Sequence, residues 1–209
     1  MKDVKPVVFI VDDDPSVRRS LERLIQSVGL AAKSFASAAQ FLQSGHGQET
    51  GCLILDVRMP EISGLDLQEK LSGMGIFLPI IFISGHGTVP MSVRAMKAGA
   101  VDFLQKPFDE QDLIDAIYRA IDRCRQGKAE REELTEIQAR LRSLTPKEHQ
   151  VLACVITGLL NKNIADRLAM AEKTVKVHRA SVMKKMGTPS VADLVRMAEK
   201  AGISPLTTK

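Results

Sequence analysis

Val7-Val8-Phe9-Ile10-Val11-Asp12-Asp13-Asp14-Pro15 decides the fold. Five apolar, largely β-branched residues end in three carboxylates and a proline. Such a run reads as a strand buried on both faces and closed by a turn. Pro15 suits the first position of a helix, whose pattern continues to about Val28. Working outward, strand-like runs recur at Ala31–Phe35, Cys52–Leu55, Ile80–Ile83 and Val101–Leu104. Helical patterns such as Leu65–Met74 and Met91–Ala98 lie between them. Five strands alternating with five helices predict an α/β, doubly wound, parallel five-stranded sheet, with right-handed crossovers placing helices on both faces.

Of the common doubly wound orders, the flavodoxin-like 2-1-3-4-5 makes strands 1, 3, 4 and 5 neighbours, and ligands bind such sheets at the carboxyl ends of the strands. The residues at those ends are Asp12 and Asp13, then Asp56, then Ser84, then Lys106. Carboxylates gathered on one rim repel each other and call for a cation; an all-oxygen set suits a small hard ion such as Mg²⁺. Asp56, on the central strand, is placed to attack phosphorus and form an aspartyl phosphate. Mg²⁺ would offset charge on the transferring group, Lys106 would pair with its oxygens and the Ser84 hydroxyl would hydrogen-bond another. Any one of these residues alone also reads as a turn former, a helix cap or a solvated lysine.

The chain changes character near its middle. Residues 1–123 hold 13 Lys/Arg against 16 Asp/Glu, and residues 124–209 hold 16 against 9. An acidic front and a basic back predict two domains, the second suited to a polyanion or simply presenting a solvated basic face. The fifth helix is expected to start near Asp109 with the stripe Leu113, Ile117, Ile121 and Cys124; the charged run Arg125–Glu133, containing Gly127, is the candidate boundary. These marks divide the chain into 5–123, a helical linker at 124–142, and 143–209. In the linker, the stripe Leu134, Ile137, Leu141 and Leu144 suits either a short coiled coil between two subunits or packing on its own C-terminal domain. No strand pattern follows Thr145. Thr145-Pro146-Lys147-Glu148 forms a capping box, and helices are expected at about 146–157, 161–168, 172–186 and 190–200.

Residues 161–168 and 172–186, joined by a short turn, read as a helix-turn-helix. On the second helix Val175, Val182 and Met186 form an inward stripe, while Lys173, Lys176, Val177, Ala180 and Lys184 gather on the opposite side, with Thr174 beside them at the helix start. Such a face enters a major groove, where lysines meet phosphates or guanine edges and Val177 a thymine methyl. Arg179 at the flank, and Asn161 and Lys162 at the start of the preceding helix, suit phosphate.

Residues 5–123 resemble the receiver domain of two-component response regulators. The segments that carry the resemblance are Val11-Asp12-Asp13-Asp14, Leu55-Asp56-Val57-Arg58-Met59-Pro60, Ile83-Ser84-Gly85-His86-Gly87 and Phe103-Leu104-Gln105-Lys106-Pro107-Phe108. Residues 141–202 are similar to the LuxR-type helix-turn-helix through Leu144-Thr145-Pro146-Lys147-Glu148, Gly158, Asn161-Lys162-Asn163-Ile164-Ala165 and Thr174-Val175-Lys176-Val177-His178-Arg179. Together they resemble the NarL/FixJ class. Gly85–Met91 and Val177–Met183 are similar to its FixJ branch. The resemblance implies that Asp56 takes phosphate from a sensor histidine kinase. Asp13, Asp56 and the Arg58 carbonyl then hold Mg²⁺, Asp12 completes the pocket, and Ser84 and Phe103 form the switch pair. It further implies a homodimer on phosphorylation, binding to promoter DNA and recruitment of RNA polymerase, usually as an activator. It implies a phosphoacceptor able at most to release its own phosphate, rather than a classical enzyme.

Two departures stand out: Glu61 where the family commonly has a small residue such as Gly, and Ala171 where it often has a Ser cap. Ala180, at a base-facing position where some relatives carry a longer polar side chain, bars borrowing their target sequences. His86 and His178 read as loop and helix residues rather than metal ligands. Competing readings are a Mg²⁺-dependent phosphatase, opposed by Arg58 where a general acid is needed, and a phosphorylation-independent DNA-binding and dimerisation module. Cys52, Cys124 and Cys154 suit reduced thiols. No apolar run approaches a membrane span, and Lys2-Asp3 lead directly into the first apolar segment, so a cytoplasmic protein without membrane association is expected.

Overall fold

The computed structural model describes residues 5–46, 49–85 and 87–203. Contacts divide the chain after Lys128 into two compact units. The first alternates β1 (Val7–Val11), α1 (Pro15–Ser27), β2 (Ala31–Phe35), α2 (Ala38–Gln43), β3 (Gly51–Asp56), α3 (Gly64–Gly73), β4 (Ile80–Ser84), α4 (Val89–Lys97) and β5 (Asp102–Gln105). The strands form one parallel sheet in the order 2-1-3-4-5, as the sequence predicts. Register follows from the pairs Val11↔Leu55, Asp56↔Ile83 and Ser84↔Gln105.

Side chains alternate across the sheet. Phe9, Val11, Leu53, Leu55 and Phe82 join Phe41, Leu67 and Leu71 in a core under α2 and α3. Val8, Ile10, Ile54, Ile81 and Ile83 face the other way, onto Leu21 and Ile25 of α1 and Leu113, Ile117 and Ile121 of α5. The central strands β3 and β4 are buried at every position, while edge strands β2 and β5 are partly open. Each fully buried aliphatic or aromatic side chain contributes about 1.5–3 kcal/mol.

Helix α5 (Glu110–Arg142) runs unbroken through Arg125–Glu133, so that charged run does not end the helix. The second unit adds α6 (Pro146–Val155), α7 (Asn161–Leu168), α8 (Glu172–Met186) and α9 (Val191–Lys200). The capping box forms: the Thr145 hydroxyl accepts from Glu148 N, and Glu148 accepts from Thr145 N at 2.7 Å. Ile137, Leu141 and Leu144 are buried with Val151, Leu152, Val175, Val182 and Leu194, so the linker stripe packs on its own C-terminal unit. The three cysteines are buried free thiols. Among the described residues no helix is long and apolar enough to cross a membrane.

Candidate functional site

The carboxyl ends of β1, β3 and β5 bring three of the expected residues into contact. Lys106 Nζ lies 2.8 Å from Asp12 Oδ2 and 3.1 Å from Asp56 Oδ1. Asp12 and Asp56 are buried, and Lys106 is about a quarter exposed.

Each group is held by its local backbone. Asp12 Oδ1 accepts from Asp14 N at 2.9 Å, and Asp14 in turn caps α1 by accepting from Ser16 N at 2.7 Å. That bond holds the Asp14 carboxyl below the usual range. Arg18, not singled out in the sequence, ties down the same loop by donating to the carbonyls of Asp12 and Asp13 at 2.7 and 3.0 Å. Asp56 Oδ2 accepts from Arg58 N at 2.7 Å. Behind Asp56, Gly64 opens α3: a Cβ there would stand 2.2 Å from the Asp56 carbonyl oxygen, so only glycine fits. Lys106 N donates to the Ser84 carbonyl at 2.8 Å, which ties the end of β5 to the end of β4; the Lys106–Pro107 peptide is cis. Ser84 is buried beside them, and Asp13 is exposed.

The electrostatics follow from burial. Desolvation raises the Asp56 carboxyl, against the opposing hydrogen bond and charge of Lys106. For Lys106 burial works downward, but the hydrogen bonds it donates to Asp12 and Asp56 outweigh it and hold the ammonium above its usual range. An ion pair alone would lower Asp56; the upward direction follows from the desolvation of its carboxylate.

The donors at this rim are all oxygens: three carboxylates and the Arg58 carbonyl. That chemistry fits a hard divalent cation. As the side chains stand, Asp12 and Asp56 turn onto Lys106, and no three His, Cys, Asp or Glu side chains are gathered as a metal cage among the described residues.

Phe103 is half-buried, its ring 6.1 Å from that of Phe82. A Cβ on Gly87 would come within 2.7 Å of the Phe103 ring, so the glycine leaves room for it beside the β4–α4 loop. His86 of that loop lies outside the described residues. Helix α4 is lightly anchored: its cap Thr88 makes no side-chain hydrogen bond and Ala95 is its one buried residue, while Val89, Val93 and Met96 are exposed.

In the second unit, Val175, Val182 and Met186 face the core, and Lys173, Thr174, Lys176, Val177, Ala180 and Lys184 all lie on the exposed surface of α8. Val177 is 63% exposed on the face that would enter a groove. Arg179 donates to Asn161 Oδ1 at 2.9 Å, joining the two helices of the motif, and Lys162 is exposed at the start of α7. Lys176 reaches Glu172 one turn earlier, at 3.1 Å. Ala171 caps α8 with no side-chain bond, and Ala169 takes the left-handed turn with φ 49°.

The sequence reading missed a clamp behind α8. Buried Glu148 accepts from Lys185 Nζ and Ser181 Oγ, both at 2.6 Å, as well as from Thr145 N. Lys185, and then Ser181, hold its carboxyl down to about 2. Its role as a helix cap was readable; its second role, anchoring α8 to α6, needed the tertiary structure.

Comparison with known proteins agrees with both halves. Residues 8–118 match the response regulator receiver domain family. Residues 142–198 match the luxR family of bacterial regulatory proteins. The chain is 50% identical over 200 residues to nodulation protein W of Bradyrhizobium diazoefficiens, covering 96% of this chain and 88% of that one. It is 51% identical to response regulator protein TmoT of Ectopseudomonas mendocina, covering 96% and 91%. Transcriptional regulatory protein FixJ of Rhizobium meliloti is 46% identical over 198 residues, covering 95% and 97%. Among solved structures, response regulator StyR superposes with a TM-score of 0.83 at 47% identity, covering 94% and 99%.

Proposed function

Because this chain belongs to the two-component response regulators of the NarL/FixJ class, joining a receiver to a LuxR-type DNA-binding domain, we propose that phosphorylation of Asp56 switches its binding to promoter DNA. The observation that carries the reading is the convergence of Asp12, Asp56 and Lys106 from three separate strand ends. An Asp56 oxygen attacks the phosphorus of a phosphohistidine on a sensor histidine kinase, and the P–N bond breaks toward the kinase. Lys106 and the Ser84 hydroxyl meet the oxygens of the phosphoryl group now on Asp56. Mg²⁺ would be held by Asp13, Asp56 and the Arg58 carbonyl, with Asp12 completing the pocket, and would neutralise charge on the transferring group.

The change at Asp56 is local and the readout is remote. Ser84 and Phe103 respond to the phosphoryl group, and α4, with so few buried side chains, is the element easiest to bias. The altered receiver face favours a homodimer. Two recognition helices then enter successive major grooves through Lys173, Thr174, Lys176, Val177, Ala180 and Lys184, with Asn161, Lys162 and Arg179 on phosphates. The reading divides the chain into receiver (5–123), helical linker (124–142) and DNA-binding domain (143–209), acting in the cytoplasm to recruit RNA polymerase.

The test is intact-mass spectrometry after incubation with acetyl phosphate and Mg²⁺. The wild type gains one phosphoryl group and Asp56→Asn gains none. Equal labelling of the two proteins overturns the assignment.

A further inference from the structure

At the amino ends of the strands, on the opposite edge of the sheet from Asp56, a cleft of about 210 Å³ opens between α3, the start of β4, the α4–β5 turn and α5. Its volume equals that of about seven water molecules, room for one fragment-sized molecule. The walls are largely apolar, formed by Leu71, Ile76, Phe77 and Ile80, with Gln68, Ser72 and Arg123 as the polar side chains of the lining.

Gln68 and Arg123 carry unused capacity. Gln68 is only 5% exposed. Its Nε2 donates to the carbonyls of Ala95 and Ala98 at 3.3 and 3.2 Å. Two carbonyl neighbours fix which end of the amide faces them, leaving Oε1 as an uncommitted acceptor. No buried side-chain N or O atom lacks a partner among the described residues, so Oε1 meets open space, and the open space Gln68 lines is this cleft. Arg123 brings a guanidinium that forms no ion pair among the described residues.

We propose that this cleft is a second ligand site, for a small aromatic carboxylic acid bearing a hydroxyl. The carboxylate pairs with Arg123, the hydroxyl donates to Gln68 Oε1, and the flat ring lies among Leu71, Ile76 and Phe77. Occupancy reaches α5 directly: Phe77 lines the cleft and also seats against Gly127, where a Cβ would come within 2.7 Å of its ring. The site is independent of the phosphoacceptor reading.

The experiment titrates full-length protein with 4-hydroxybenzoate, benzoate and phenol, following backbone amides by heteronuclear NMR. Binding of 4-hydroxybenzoate shifts the Gly99 and Gly127 amides, and benzoate and phenol each bind several-fold more weakly. Arg123→Gln, a surface change, weakens 4-hydroxybenzoate about tenfold, one charge-assisted hydrogen bond. Ser72→Phe, narrowing the mouth, abolishes the shifts. No saturable shift at millimolar ligand, shifts confined to other residues, or affinity unchanged by Arg123→Gln overturns the proposal.

Discussion

Glu61 offers the sharpest test of how the receiver's active loop is built. It has φ 64°, the left-handed region, where an L side chain other than Asn or Asp costs about 1–2 kcal/mol. Replacing it with glycine removes that strain but raises the unfolded chain's entropy, worth about 0.5–1 kcal/mol the other way. The net expectation for Glu61→Gly is a gain of about 0.5–1 kcal/mol. At about 2.1 cal/mol/K per residue, a unit of receiver size turns this into a rise of about 2–4 °C in midpoint. Glu61→Val, β-branched at the same φ, should fall below the wild type. The chain holds one tyrosine and no tryptophan. That tyrosine, Tyr118, lies in the receiver part of α5, so tyrosine fluorescence during thermal unfolding reports this unit selectively. A midpoint for Glu61→Gly at or below wild type, or Glu61→Val at or above it, would refute the reasoning.

Further outcomes are expected at Lys106, Glu148 and Ala171. Lys106→Met leaves Asp12 and Asp56 facing each other and should cost about 1–3 kcal/mol at neutral pH, less than a fully buried broken pair because Lys106 is partly exposed; the deficit narrows as pH falls and the raised Asp56 carboxyl takes up a proton, seen in urea midpoints against pH. In the wild type, the raised Lys106 contributes stability below pH about 10.4 that is lost as pH climbs through its folded value. Glu148, lowered to about 2, contributes stability present above about pH 4.5 and lost as pH falls from there toward 2; Glu148→Gln should flatten that acid dependence in the helical unit and weaken DNA binding by loosening α8. Ala171→Ser restores a side-chain cap to α8 and should stabilise the helical unit by about 0.5–2 kcal/mol, measured by urea denaturation followed at 222 nm.

Most of what positions the site was legible in the sequence, because strand ends are local signals. A buried run stopping at Asp12, Asp56, Ser84 or Lys106 marks where a strand meets the rim, and one choice of strand order places them side by side. The exposed face of α8 was likewise fixed by helical periodicity. Properties that depend on long-range contact were not legible. Arg18 reaching the Asp12 and Asp13 carbonyls, and Glu148 clamping Ser181 and Lys185 across more than thirty residues, leave no periodic trace. The stripe at Ile137, Leu141 and Leu144 suited two partners, its shortness leaning toward its own domain, until the C-terminal core was in view. Glu61 was visible as a departure, but the left-handed backbone angle it occupies was not.

The most direct test of the switch combines sizing and mobility shift on a pool of promoter fragments, comparing wild type with Asp56→Asn in Mg²⁺ with and without beryllofluoride. The account predicts that beryllofluoride converts the wild type to a dimer with higher DNA affinity and leaves Asp56→Asn unchanged. Equal DNA binding by both proteins, indifferent to beryllofluoride, would contradict it.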